Sequence, residues 1–303
     1  MFNIYQSLTQ RLSDIRTNIA SFALAIFFSL TLSSTVAASP FAQGLHHFED
    51  GDFTAAVESF TQAIEADKTS AAAYSNRCLS YLKLDNYQDA IEDCSHALEL
   101  FPNNSEGYLN RGLAYHRLGQ YTAAMDDYNQ LLSTWPQDFR AHHNRGLTET
   151  ELGRFTSALG DFELAERFSR QADSAIRASI FNDWGLVFFH QGNWEAALTK
   201  FNRSIRLNPN HISPYFNRGC VCHRNADYAC ALKDFTQVVQ LEPNSADAYM
   251  NLGMTHAALG RPGKARQNWE AAAALFLERG DEQAYRQAQV LLHWDNGLAS
   301  AIG

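Results

Sequence analysis

The chain has 303 residues, 46% apolar and 19% charged, a balance that excludes wholesale disorder and leaves room for two ordinary domains or one repeat array. Its 24 basic and 33 acidic residues give a net charge of −9, which offers no global basic face for a nucleic-acid backbone. Seven prolines, seventeen glycines and five cysteines without a CxxC pair exclude collagen-like, low-complexity and zinc-ribbon chains.

Residues 1–38 read as an address. Arg11 and Arg16 precede an uncharged run from Ile19 to Leu32, and the small residues Ser33, Ser34, Val36, Ala37 and Ala38 follow. The run is shorter than the roughly 20 apolar residues of a bilayer span. Basic flank, short apolar core and small residues make a secretory signal cleaved after Ala38, with an uncleaved N-terminal anchor as the alternative. The chain is therefore expected to be exported, or tethered to a membrane through this segment alone.

A 34-residue period governs the rest. Tyr74 and Tyr108 are one period apart, as are Gly112 and Gly146, and then Gly185, Gly219 and Gly253. Seven windows fit: 39–70, 71–104, 105–138, 139–172, 178–211, 212–245 and 246–279, with a five-residue insertion at 173–177. Window positions are counted from 71, 105, 139 and so on, with the first window in register from 37.

Each window reads as two amphipathic helices. Large apolar residues at positions 4 and 11 flank a small one at 8, as in Tyr108, Gly112 and Tyr115, and steps of three and four share one helical face. Glycine recurs at position 15 (Gly51, Gly119, Gly153, Gly192, Gly260), where a helix C-cap needs a left-handed residue. The second helix places Ala at 20, an aromatic at 24 and usually Ala at 27, as in Ala158, Phe162 and Ala165. Pro102-Asn103, Pro209-Asn210 and Pro243-Asn244 end it. Residues 280–294 read as one more helix, whose Ala284, Ala288, Leu291 and Leu292 cover the last apolar face of the array. Residues 295–303 read as a loose tail.

This pattern resembles the tetratricopeptide repeat family over residues 39–279, and the YxNRG form of the repeat (Tyr108–Gly112, Tyr215–Gly219) is most similar to cyanobacterial members. The resemblance implies an all-α, right-handed solenoid of helical hairpins with a C-terminal capping helix. It implies a scaffold that binds a protein or peptide partner in a concave groove, in the periplasm or thylakoid lumen. An assembly factor for a membrane complex such as a photosystem is the second reading. Departures are local: Glu149 stands where position 11 is aromatic, which predicts looser packing in the fourth repeat.

In the family, positions 2, 5, 9, 12 and 13 of the first helix line the groove. Position 9 carries Leu45, Leu79, Leu113, Leu147, Leu186, Cys220 and Met254. Positions 5 and 12 add Leu109, Phe216 and Met250, then Leu82 and Phe189. Position 13 adds Lys83, Arg117, His190 and Arg224, with His116 and His143 beside them. The resemblance thus implies an apolar stripe with a basic edge, suited to an amphipathic segment with acidic flanks. The asparagines that clamp a C-terminal carboxylate in some members are absent at position 9.

Position 7 is arginine in four windows (Arg77, Arg111, Arg145, Arg218), and position 23 is aspartate in the same four (Asp93, Asp127, Asp161, Asp234). This internal covariation predicts an Arg–Asp bridge between the two helices of a repeat, or else with the neighbouring repeat. Cys78 and Cys94 occupy positions 8 and 24 of one repeat, and Cys222 and Cys230 flank the turn of another. Each pair is expected either as a disulfide or as buried thiols. Eleven histidines form no HExxH or Cys/His ligand set, and no nucleophile elbow or phosphate loop occurs. No metal, cofactor or catalytic residue is expected.

Overall fold

The computed structural model describes residues 39–302, with side chains as far as His293. The leader or anchor expected over 1–38 lies outside the described residues. Fifteen α-helices and no strand occur among the described residues, as in an all-α solenoid. The chain divides into two compact units, whose described parts are residues 39–170 and 171–302.

The first unit holds four hairpins: α1 (Pro40–Glu49) with α2 (Phe53–Ala66), α3 (Ala71–Lys83) with α4 (Tyr87–Leu100), α5 (Ser105–Arg117) with α6 (Tyr121–Thr134), and α7 (Phe139–Glu151) with α8 (Phe155–Phe168). The second holds α9 (Ser174–His190) with α10 (Trp194–Leu207), α11 (Ile212–Arg224) with α12 (Tyr228–Leu241), α13 (Ala246–Ala258) with α14 (Pro262–Glu278), and then α15 (Glu282–Ile302). The inserted residues 173–177 do not loop out. Asp173 caps α9 and the rest form its first turn.

Side chains at helix starts accept from backbone N–H groups that the helix leaves unpaired, for example Ser39 from Ala42, Asn104 from Gly107 and Asp227 from Cys230. Every hairpin turns through a left-handed residue at position 15. Glycine fills five of these turns, and Asp85 (φ 58°) and Ala226 (φ 57°) fill the other two. Within a hairpin the helices close to contact because position 8 is small. A Cβ on Gly112 would stand 2.6 Å from the Tyr128 ring, and one on Gly185 2.6 Å from Phe201. The position-20 alanines, Ala56 through Ala265, are fully buried in all seven hairpins. In the second repeat the glycine–ring contact is replaced by a disulfide, Cys78–Cys94, at the same two positions.

The arginines and aspartates at positions 7 and 23 meet. Arg77 Nε and Nη2 donate to the two oxygens of Asp93 at 2.6 and 2.7 Å, and Arg111–Asp127, Arg145–Asp161 and Arg218–Asp234 repeat the fork. The aspartates are 1–6% exposed and the arginines 16–23%. The third arm of each guanidinium, Nη1, reaches position 25 of the preceding repeat: Thr61, Ser95, Asn129 and Asn202. Of the two expected pairings the one within the repeat is found; the arm that crosses to the repeat before meets a neutral acceptor rather than an aspartate, a link the sequence reading did not contain. In the fifth repeat the same two positions carry Trp184 and Lys200, and Lys200 Nζ lies 2.9 Å from the ring centroid, a cation–π contact in place of the ion pair.

At the C-terminus, Ala284 and Ala288 of α15 pack with Ala272, Ala273 and Phe276 of α14. The expected loose tail is corrected: helix continues through Ile302. Leu298, Ala299 and Ala301 are good helix formers and no proline interrupts them.

An Asp127→Asn substitution leaves Arg111 without its carboxylate in a mostly buried site. It is expected to lower stability by about 3 kcal/mol, read as a shift in denaturation midpoint. Arg111→Met combined with Asp127→Leu, which removes both charges, is expected to cost about 1 kcal/mol or less. A double variant less stable than the single one would assign the energy to the pair itself rather than to the stranded charge.

Candidate partner-binding face

In each unit the first helices of successive repeats touch one another directly, α1 with α3, α3 with α5 and α5 with α7, then α9 with α11 and α11 with α13. This brings the position-9 residues into line along one face. Leu45 is 38% exposed, and Leu79, Leu113 and Leu147 are half-buried. In the second unit Leu186, Cys220 and Met254 hold the same places, also half-buried, with Met250 beside Phe276 and Tyr249.

Four residues expected on this face are corrected. Leu82, Leu109, Phe189 and Phe216 are only 4–9% exposed and belong to the hairpin cores. Leu109 packs against Tyr128, Leu131 and Ala141. Phe216 meets Phe235 ring to ring at 5.6 Å. At position 12 the side chain leans back across the turn: Leu82 packs with Ala90, Ile91 and Ala114, and Phe189 meets Trp194 edge-on at 5.3 Å. The small residues of the next first helix, Ala114 and Ala141, leave room for this retreat.

The expected basic edge also shrinks. His116 Nδ1 lies 3.0 Å from Thr148 Oγ1, and that hydroxyl already donates to the Asn144 carbonyl, so the ring is the donor. Burial, helped by the Arg117 charge, lowers the His116 pKa to about 4, and the ring is neutral at physiological pH. His223 makes the same contact with Thr255, whose hydroxyl donates to Asn251 O, and burial lowers its pKa too. The His143 ring lies 5.8 Å from that of Phe162, in its own hairpin. Burial also lowers the pKa of Lys83. The edge therefore rests on Arg117, on Lys83, and in the second unit on Arg224, whose guanidinium sits 5.2 Å from the Trp194 ring centroid; His190 is exposed beside Phe189.

Some of what ties this face together was missed in the sequence although its signal is periodic. Arg140 bridges Asp138 and Glu106, and Arg140 and Glu106 share window position 2 in consecutive repeats. The histidine–threonine links likewise recur between positions 12 and 10 of successive repeats.

Glu149 is the exception to the pattern. It is buried, and its Oε2 has no hydrogen-bond partner. The expected looser packing is also seen: a Cβ on Gly146 would stand 3.2 Å from the Phe162 ring, against 2.6 Å at Gly112 and Gly185. Burial, and then the charge of Asp161, raise its pKa to about 7 against the pull of Arg145 and Arg154. Asp161 is already occupied by Arg145 and by His142, whose Nδ1 lies 2.9 Å away. The other nitrogen of His142 faces Pro136 O at 3.0 Å, so both ring nitrogens meet acceptors.

Four family models match the chain: tetratricopeptide repeat models over residues 71–104, 94–126 and 223–285, and a TPR repeat model over 185–225. The chain contains tetratricopeptide repeats. No curated protein matches it significantly. Among solved structures it is similar to a tetratricopeptide repeat protein from Parabacteroides merdae, with a TM-score of 0.64 and 20% identity over 82% of this chain and 97% of the other. It is also similar to Pseudomonas aeruginosa pilF (TM-score 0.62, 20% identity, 74% and 98% covered). A third is PilW, described as a type IV pilus biogenesis factor (TM-score 0.65, 18% identity, 72% and 98% covered). At these identities the likeness is one of fold.

Glu149 holds its proton more tightly in the folded chain, near pH 7, than at its ordinary value of 4.5 when unfolded. Its contribution to stability is therefore greatest at low pH, falls as pH rises from about 4.5 to about 7, and then levels off. Glu149→Gln removes that slope. Parent and variant are expected to unfold together near pH 4, with the variant ahead by about 3 kcal/mol at pH 8. A difference constant with pH would show that the carboxyl is not its source.

Proposed function

We propose that this chain is a non-catalytic scaffold that holds an amphipathic segment of a protein partner along the first-helix face of its repeats. The observation that carries this reading is the register of Leu45, Leu79, Leu113 and Leu147: one apolar side chain per repeat, on one face, none fully covered. Lys83 and Arg117 beside it favour a partner with acidic flanks.

Magnitudes set limits on that partner. Completing the burial of four half-covered leucines yields about 1 kcal/mol each, which does not exceed the cost of association. The stripe alone is too weak to hold anything. The partner must bring large anchors of its own, and charge pairing must fix its register.

An assembly factor for a membrane complex, such as a photosystem, is the second reading. It is supported by the likeness to pilF and PilW over nearly their whole length. No helix among the described residues is long and apolar enough to cross a membrane. Both readings place the protein in an exported compartment, periplasm or thylakoid lumen, with residues 1–38 as cleaved leader or as anchor.

Crosslinking and mass spectrometry of the protein in its own cells would identify what it holds. A chain carrying Leu79→Ala, Leu113→Ala and Leu147→Ala, with its circular dichroism unchanged, is expected to lose that capture by at least about tenfold. Undiminished capture would remove this face as the binding surface. Recovery of the partner in assembly intermediates but not in a finished complex would select the second reading.

A further inference from the structure

Cys222 lies in the last turn of α11, and Cys230 lies in the first turn of α12. Between them the chain reverses through Ala226, and Asp227 N donates to Cys222 O at 2.9 Å. The two cysteines are joined as a disulfide. Asp227, the N-cap of α12, stands beside them, and one ligand atom from each of the three residues lies within 4.8 Å of the other two.

We propose that these three residues form a redox-gated metal site: a disulfide in the oxidised chain, and a site for a borderline-soft divalent cation such as Zn²⁺ in the reduced one. Two thiolates and a carboxylate form a donor set that zinc accepts, with water in the fourth position. Thiolates favour zinc over magnesium or calcium, which take oxygen ligands. Zn–S bonds of about 2.3 Å in a tetrahedron put two sulfurs about 3.8 Å apart. Two sulfurs released from a disulfide separate to about that distance on contact alone, so neither helix has to move far.

Asp227 is already oriented for the role. Its Oδ1 accepts from Cys230 N at 3.0 Å, and its second oxygen faces no cap donor. The cap bond would thus serve as an outer-shell support for a ligand. Cys222 is almost fully buried, whereas Cys230 is half-buried and Asp227 exposed, so a cation enters from the solvent side. The Cys78–Cys94 pair lacks these features. Both of its residues are fully buried in mid-helix, and no third donor joins them among the described residues.

The exchange balances. A dithiol reductant gives two electrons and two protons to the Cys222–Cys230 bond, which breaks to two thiols while the reductant closes its own disulfide. Zinc then displaces both thiol protons to solvent. A two-electron oxidant of the disulfide class reverses the cycle, re-forms the bond and releases the metal.

The test uses the full chain reduced by a phosphine under anaerobic conditions and titrated with Zn²⁺ against a chromogenic chelator, with Co²⁺ as a spectroscopic probe of thiolate ligation. One equivalent is expected to bind, with a thiolate-to-cobalt charge-transfer band. Cys222→Ser with Cys230→Ser should abolish both, leaving any background from the remaining cysteines. Asp227→Asn, which keeps the helix cap, should weaken zinc by at least about tenfold. Disulfide oxidation of the loaded chain should release its zinc. Zinc uptake by the reduced chain no greater than that of the double cysteine variant, or an Asp227→Asn chain binding as tightly as the parent, would overturn the proposal.

Discussion

A buried carboxylate needs a partner, and in this protein that requirement fixes how repeats are built and joined. Asp93, Asp127, Asp161 and Asp234 sit inside hairpins where an unpaired charge would cost several kcal/mol. An arginine at position 7 answers each of them, because its planar fork meets both oxygens and still has an arm to spare. That arm crosses to the preceding repeat. One side chain therefore sets the spacing of two helices within a hairpin and the register of one hairpin on the next. Helix closure, aligned first helices and the line of position-9 residues all follow from that geometry. Where the pair is absent the positions find other solutions, such as lysine on the Trp184 ring, or no charge at all in Leu252.

Much of this was legible because it is periodic. Small residues at position 8, alanine at 20, a left-handed turn at 15 and opposite charges at 7 and 23 all recur at one interval, and each has a single physical use. The second link of each arginine was harder to see, since Thr61, Ser95, Asn129 and Asn202 share only the ability to accept. Depth was not legible at all. Periodicity tells which face a side chain occupies, not how closely the next helix approaches. Phe216 and Leu109 read as groove residues because the pattern cannot show that neighbouring alanines and rings draw them inward. The histidines failed for a related reason: a ring counted as a cation becomes a neutral donor once a threonine and burial claim it.

These corrections narrow the functional face more than they weaken it. The acidic chain offers a partner few cations, because the arginines most regularly spaced along it are occupied within the fold. What remains is a thin apolar line with Lys83 and Arg117 at its side in the first unit and Arg224 in the second. Specificity on such a surface depends more on spacing than on strength, and a partner whose anchors miss the repeat interval gains little from any single contact.

The arginine links are unevenly distributed, and this bears on cooperativity. In residues 39–170 three of them run in succession, from Arg77 back to Thr61, from Arg111 back to Ser95 and from Arg145 back to Asn129, so opening any one hairpin strips a hydrogen bond from its neighbour. In residues 171–302 a single link joins the fifth and sixth repeats, and the hairpin of α13 and α14 has none. In a linear array, coupling between neighbours sets how far a local opening spreads. The first unit should then lose its protected amides as one block, while the second sheds them in steps from its C-terminal end.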